Sequence, residues 1–345
     1  MTSAPFVSVV IPCRNEEKFI APCLDSLIGQ DYPKDRMEVL VINGMSSDGT
    51  KDILDNYSRK YPYIKHLDNF RKITPCAFNI GINNSKGDFI AIMGAHAVYD
   101  HEYVSKCVNA ALKYSADNVG GVVSVVPFER SLTSLAIAKV ISSPFGAGNA
   151  YYKTSRPKMA REVDTVFGGC YRKAIFKKIG LFDERLVRNQ DMDINLRLKK
   201  AGGKIMLVPD IVLCYYPKSD LFGFAKHNFA DGFSVVYPLR FGLKTFSWRH
   251  LLPLLFVLGL LLSLAAGLFA KQILLLFYAA MGSYALVSLF FSLVAALKEK
   301  TPGLLFIMPA VFFIRHFFYG LGSLAALGAV IINRNGRNRK NQKKI

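Results

Sequence analysis

Acidic residues are almost missing from the last hundred positions of this 345-residue chain; between 246 and 345 the only one is Glu299. The same stretch keeps 11 basic residues, a surplus of +10 out of a net +19. The six cysteines, at 13, 23, 76, 107, 170 and 214, form no C-x-x-C pair, and no His stands at zinc spacing. This excludes a disulfide framework and a structural zinc site, and scattered thiols suit a reducing compartment. The apolar run from Phe6 to Pro12 is too short for a signal peptide and lacks a basic flank, so we expect the globular part in the cytosol. No basic stripe interleaved with aromatics occurs, which argues against a nucleic-acid partner. With 51% apolar residues and a positive mean hydropathy, disorder as the main state is excluded.

What is there reads as two parts, consistent with the length. Residues 1–245 form an ordinary, moderately basic globular region. Phe6 to Ile11 is a β-rich run stopped by Pro12, and Glu16 to Gln30 follows at helical spacing. Met37 to Ile42 is a second strand, ending in a polar turn where Ser47 or Asp48 caps the next helix. Thr74-Pro75 reads as an N-cap followed by proline at the first helical position. Phe89 to Met93 is a third apolar strand, Val119 to Val126 another, and Asp164 to Phe167 a strand running into Gly168-Gly169. Strands alternating with helices predict a parallel, doubly wound α/β sheet, whose ligands bind beyond the carboxyl ends of the strands. The loops after Ile11, Ile42 and Met93 are therefore the places to look.

Residues 221–250 mix aromatics with Lys226, Arg240, Lys244 and Arg249, which fits either a segment on a membrane surface or a packed surface helix pair. Across 251–333, Leu251 to Ala270 and Gln272 to Leu297 are uncharged and of spanning length. The third run, Gly303 to Ile332, contains Pro309 and Arg315-His316. Three full crossings would place the basic tail 334–345 outside, against the positive-inside bias, so we expect a re-entrant hairpin there.

The strand-end loops carry a resemblance. Val9 to Glu17, Val39 to Asn43 with Ser46 to Thr50, Ala77 to Ile82 with Lys86-Gly87-Asp88, Asp164 to Arg172, and Gly180 to Glu184 with Arg188 to Asp191 follow one another in order. Together they resemble family 2 glycosyltransferases, most of all membrane-bound bacterial members of the succinoglycan β-glucosyltransferase type. The resemblance implies a GT-A fold and inverting transfer of a sugar from a nucleotide-sugar donor. Asp191 stands at the position of the family's catalytic aspartate, the base that an acceptor hydroxyl needs; at a helix start it also suits an N-cap.

Pro12, Arg14, Glu16, Asn43, Lys72, Ala95 and His96 match or adjoin donor-pocket positions, and Gly168, Gly169, Arg188 and Gln190 the acceptor side. Two departures stand out. The second strand ends in Asn43 where the family has Asp, and the Asp-x-Asp metal motif reads Gly94-Ala95-His96. A divalent metal, Mn or Mg, is implied, with His96 as its imidazole ligand. The Gln-x-x-Arg-Trp motif of processive synthases is replaced by Lys226-His227-Asn228-Phe229, and no membrane helix precedes the globular part. Both favour addition of one sugar to a polyprenyl-diphosphate-linked glycan, by a multi-pass protein of the inner cell membrane with its catalytic domain in the cytoplasm. The alternative is a catalytically silent relative acting as a membrane binding or scaffold subunit.

Overall fold

The computed structural model describes residues 4–148, 150–154, 157–243 and 248–342; of 333–342 only the backbone is described. Lys244 and the side chains of Arg249 and of the basic tail lie outside the described residues. The chain divides into two compact units, 1–124 with 151–216, and 125–150 with 217–345. This division differs from the expected boundary near 245. The reason is packing: Ala136, Ile137 and Val140 of the Leu132–Ser142 helix bury against Val311 and Phe312 of the long C-terminal helix.

The first unit is built on a nine-stranded sheet: β1 Val7–Cys13, β2 Met37–Asn43, β3 Ile64–Asp68, β4 Phe89–Ile92, β5 Ala97–Tyr99, β6 Asn118–Val125, β7 Arg161–Glu162, β8 Gly169–Arg172 and β9 Ile205–Tyr215. The order is β3-β2-β1-β4-β8-β6-β9-β5, with β7 on β9. The expected parallel pattern holds only across β3, β2, β1 and β4. Beyond β4 the pairings β4–β8, β6–β8, β5–β9 and β7–β9 are antiparallel; β5 follows β4, and β8 follows β7, with no helix between. Alternation sets parallel pairing by forcing each strand to return through a crossover.

Two local expectations need correction. Residues 164–167 are not a strand; β8 begins at Gly169, after Gly168 and Gly169 adopt φ of 60° and 108°. The φ of 60° at Gly168 takes the chain out of extended geometry just before β8. Thr74 is the first residue of the Thr74–Asn84 helix, and the N-cap is Ile73. The core beneath the strand ends joins Val10, Ile42, Ile92, Val166, Tyr171 and Ile194 in one cluster. Five of the six cysteines are buried, and Cys214 is half-buried.

The second unit is helical. Lys271–Lys298 and Leu304–Ile332 are long and apolar enough to cross a membrane. The first expected crossing forms only the 16-residue helix Leu252–Gly267, roughly 24 Å long against a core of about 30 Å. The expected hairpin is absent: one helix runs unbroken from Leu304 to Gln342 through Pro309, Arg315 and His316. What makes the charge tolerable is full pairing. Arg315 donates to the Gly146 carbonyl and, at 3.0 Å, to Asn228 Oδ1. The His316 ring lies 3.0 Å from Phe145 O and 2.9 Å from the Tyr284 hydroxyl. The Leu221–Val236 helix takes the packed-pair alternative. A Cβ at Gly232 would lie 1.9 Å from Tyr319 O, and one at Gly322 2.0 Å from Phe229 O, so only small residues permit this approach to the long helix.

Candidate functional site

Every residue expected in the site falls in the first unit. The register Cys13↔Asn43 and Val10↔Ile92 brings the loops after β1, β2 and β4 to one sheet edge. The first two loops are sewn together by short polar side chains. Asn15 N–H donates to Ser46 Oγ at 3.0 Å, Ser47 N–H to Asn15 Oδ1 at 2.9 Å, and Glu16 N–H to Thr50 Oγ1 at 2.8 Å. Asn15 and Met45 hold φ of 56° and 57°, a left-handed geometry that this cross-linking sustains. Pro12 lies opposite Ile42, one residue before the end of β1, and the Arg14 stem lies over Gly44, where a Cβ would sit 3.1 Å from Arg14 Cβ. Asn43 is buried and turns its Oδ1 into the loop, accepting from Ser46 N at 3.1 Å and Ser46 Oγ at 2.8 Å. Lys72 is exposed after β3, with φ of 60°.

The Gly94-Ala95-His96 stretch links β4 to β5. Ala95 is buried, and Gly94 N–H donates to the buried Tyr99 hydroxyl at 2.7 Å. His96 Nε2 lies 2.9 Å from Glu16 Oε1, and its ring meets the edge of Phe19 with centroids 4.9 Å apart. A divalent ion held by the protein alone does not fit this arrangement. No group of three His, Cys, Asp or Glu among the described residues is placed to hold one, and Gly94 supplies no carboxylate. Space for the missing carboxylate does exist, since a Cβ at Gly94 meets nothing nearer than Phe167 Cζ at 3.9 Å.

The acceptor-side glycines adjoin this loop. Gly169 pairs with Ile92, and a Cβ on Gly168 would lie 2.3 Å from Ile92 O. Both glycines are therefore required by positive φ and by close backbone approach. Asp191 lies in the first turn of the Gln190–Lys200 helix, whose N-cap is Asn189 in left-handed geometry. Asp191 is thus not the N-cap. Burial, and then the nearby Asp191 charge, push the Tyr171 phenol of β8 well above its ordinary range. The helix that carries the base candidate is tied to β8 through Asn195, whose Oδ1 accepts from Tyr171 Oη at 3.0 Å. Arg188 precedes the helix, half-buried, and Gln190 Oε1 is buried without a hydrogen-bond partner.

Several contributors were not visible as site residues in the sequence. Asn79 binds the Phe182 backbone through both amide atoms at 2.9 Å and donates to Glu184 Oε1 at 3.0 Å. Asn118, Thr165, Tyr171 and Asn195 form a buried polar group beneath the Asp191 helix. Buried Asn in an otherwise apolar pattern is the one signal that could have pointed to them.

A family model described as glycosyl transferase family 2 matches residues 8–180. A Methanococcus voltae protein, named as a dolichyl N-acetyl-alpha-D-glucosaminyl phosphate 3-beta-D-2,3-diacetamido-2,3-dideoxy-beta-D-glucuronosyltransferase, is 33% identical over 268 residues, 76% of this chain and 82% of its own. The succinoglycan biosynthesis protein ExoA of Rhizobium meliloti is 27% identical over 269 residues, 71% of this chain and 80% of its own. Among solved structures, a mannosyltransferase from Pyrobaculum calidifontis with GDP-Man and Mn2+ superposes with a TM-score of 0.59 at 17% identity, covering 94% of this chain and 88% of that one. The fold is that of GT-A transferases, with C-terminal helices apolar enough to span a membrane.

Proposed function

The chain belongs to glycosyl transferase family 2, and from that premise we propose that it transfers one sugar, with inversion, from a nucleotide-sugar to a polyprenyl-diphosphate-linked glycan at the membrane. The observation that supports this reading is the tie of the Asp191 helix, through Asn195, to Tyr171 of β8 and to Thr165 before Gly168-Gly169; β8 pairs with β4, whose far end leads into His96. In this reading Asp191 takes the proton of the acceptor hydroxyl as that oxygen attacks the anomeric carbon. The bond from that carbon to the diphosphate breaks, and the nucleoside diphosphate leaves with the electron pair. Arg14 and Lys72 offer positive charge to the diphosphate on the donor side.

The long apolar helices and the relative named for a dolichyl phosphate-linked sugar support a lipid-held acceptor and a multi-pass protein whose catalytic unit faces the cytoplasm. The test is transfer from radiolabelled nucleotide-sugars, by the full chain in detergent, to polyprenyl-diphosphate-linked sugars and to the same sugars free in solution. The expected result is one added residue on the lipid-linked acceptor, with its anomeric configuration inverted by NMR. Retention of configuration, or preference for free sugars, would overturn it. Donor binding with no transfer to any acceptor would favour the scaffold reading that Gly94 and Asn43 raise.

A further inference from the structure

Asn195 follows Asp191 by one helical turn, so the two side chains share a face of the Gln190–Lys200 helix. Asn195 is completely buried. Its Oδ1 accepts from Tyr171 Oη of β8 at 3.0 Å and from Asn118 Nδ2 of β6 at 3.0 Å. Its Nδ2 donates to Thr165 Oγ1 at 2.9 Å, in the segment that leads into Gly168-Gly169. Three separate elements are thus tied to the helix through one amide. Asn118 also closes the floor under the turn, since a Cβ on Gly169 would lie 2.2 Å from Asn118 Oδ1. Ordinary apolar packing, such as that of Ile194 and Leu198, would hold the helix on the sheet without fixing its rotation. Hydrogen bonds are directional and do fix it.

We propose that Asn195 is a positioning residue: by tying the Asp191 helix to β6, β8 and Thr165 in one buried network, it sets the base and the Gly168-Gly169 turn in a single mutual geometry. This rests on Asp191 being the base. A misplacement of about 1 Å at a reacting group costs on the order of 10²-fold in rate, so the network should be read in turnover rather than in donor binding.

The experiment compares full-length Asn195→Leu, Thr165→Val, Thr165→Ser and Asp191→Asn for kcat, donor Kd and thermal midpoint. Asn195→Leu and Thr165→Val should each lower kcat by about 10–10²-fold with donor Kd nearly unchanged. Thr165→Ser, which keeps the hydroxyl, should recover most of the rate lost in Thr165→Val. If Asn195→Leu does not fold, the Thr165 pair decides. Near-normal kcat in both, beside an inactive Asp191→Asn, overturns the network's role and leaves the base standing. Equal losses in Thr165→Val and Thr165→Ser, or loss of donor binding in step with kcat, show a structural role only and overturn it too. An active Asp191→Asn removes the base reading and this inference together.

Discussion

The Nε2 nitrogen of His96 lies 2.9 Å from Oε1 of Glu16, joining the loop after β4 to the loop after β1 across the donor side of the sheet. Glu16 is itself fixed through its N–H to Thr50, so the imidazole is held by a carboxylate that belongs to the cross-linked loops. The family's metal motif is thus replaced here by a histidine within hydrogen-bond distance of Glu16 and a glycine with open space beside it.

That relationship makes the cation response specific. Free wild-type protein should bind Mn2+ weakly, since among the described residues no group of three His, Cys, Asp or Glu is placed to hold it. Gly94→Asp restores a carboxylate where space exists and should raise Mn2+ affinity of the free protein by about tenfold or more. His96→Ala should abolish that gain. Calorimetric titration of Mn2+ and Mg2+ against the three proteins checks it; equal affinities throughout would show that this loop is not where a cation binds.

Asp191→Asn should lower turnover by about 10²–10⁴-fold and leave nucleotide-sugar affinity nearly intact, because the substitution keeps shape and removes only the proton acceptor. Steady-state rates beside calorimetric donor binding make the check. Near-wild-type transfer would end the assignment.

The Asn79–Glu184 contact gives a pH prediction. Hydrogen bonding from Asn79, then from Cys76, with the Arg71 charge, holds the Glu184 carboxyl below its ordinary value of 4.5. The folded state then binds fewer protons than the unfolded chain between the two values, so stability falls as pH drops through that window. The contribution is fully present above about pH 4.5 and is lost as pH falls through the folded value. Thermal midpoints of wild type and Glu184→Gln should differ at neutral pH and converge in acid. A difference that persists unchanged at low pH would contradict the account.

The unbroken Leu304–Gln342 helix predicts that its two ends lie on opposite sides of the membrane. Reporter fusions ending after Lys300 and after Ile345 should therefore give opposite localisation signals. The same signal from both would restore a hairpin.

Much of this was legible in the linear chain because it is local. Periodicity marks β1, β2 and β4, and the carboxyl-end rule then directs attention to the loops holding Arg14, Asn43 and His96. The Asn189-Gln190-Asp191 run marks only a base candidate, and apolar length marks the C-terminal helices. Antiparallel pairing of β8 was not legible, since strand partners are chosen by distant segments whose backbones must satisfy one another. The hairpin expectation failed for a related reason. The charge on Arg315 looked too costly for a continuous helix, but its partners, the Gly146 carbonyl and Asn228, come from segments over 80 residues away.

What the sequence alone determined was the set of chemical groups: a base candidate, two glycines that nothing bulkier can replace, and a metal motif short of its acids. Only the tertiary structure decided their couplings, that His96 is held by Glu16 and that Asn195 ties Asp191's helix to Tyr171 and Thr165. Hydrogen bonds demand separations near 3 Å and fixed angles, and residues 24 to 80 positions apart meet that demand only once the sheet has set their distance.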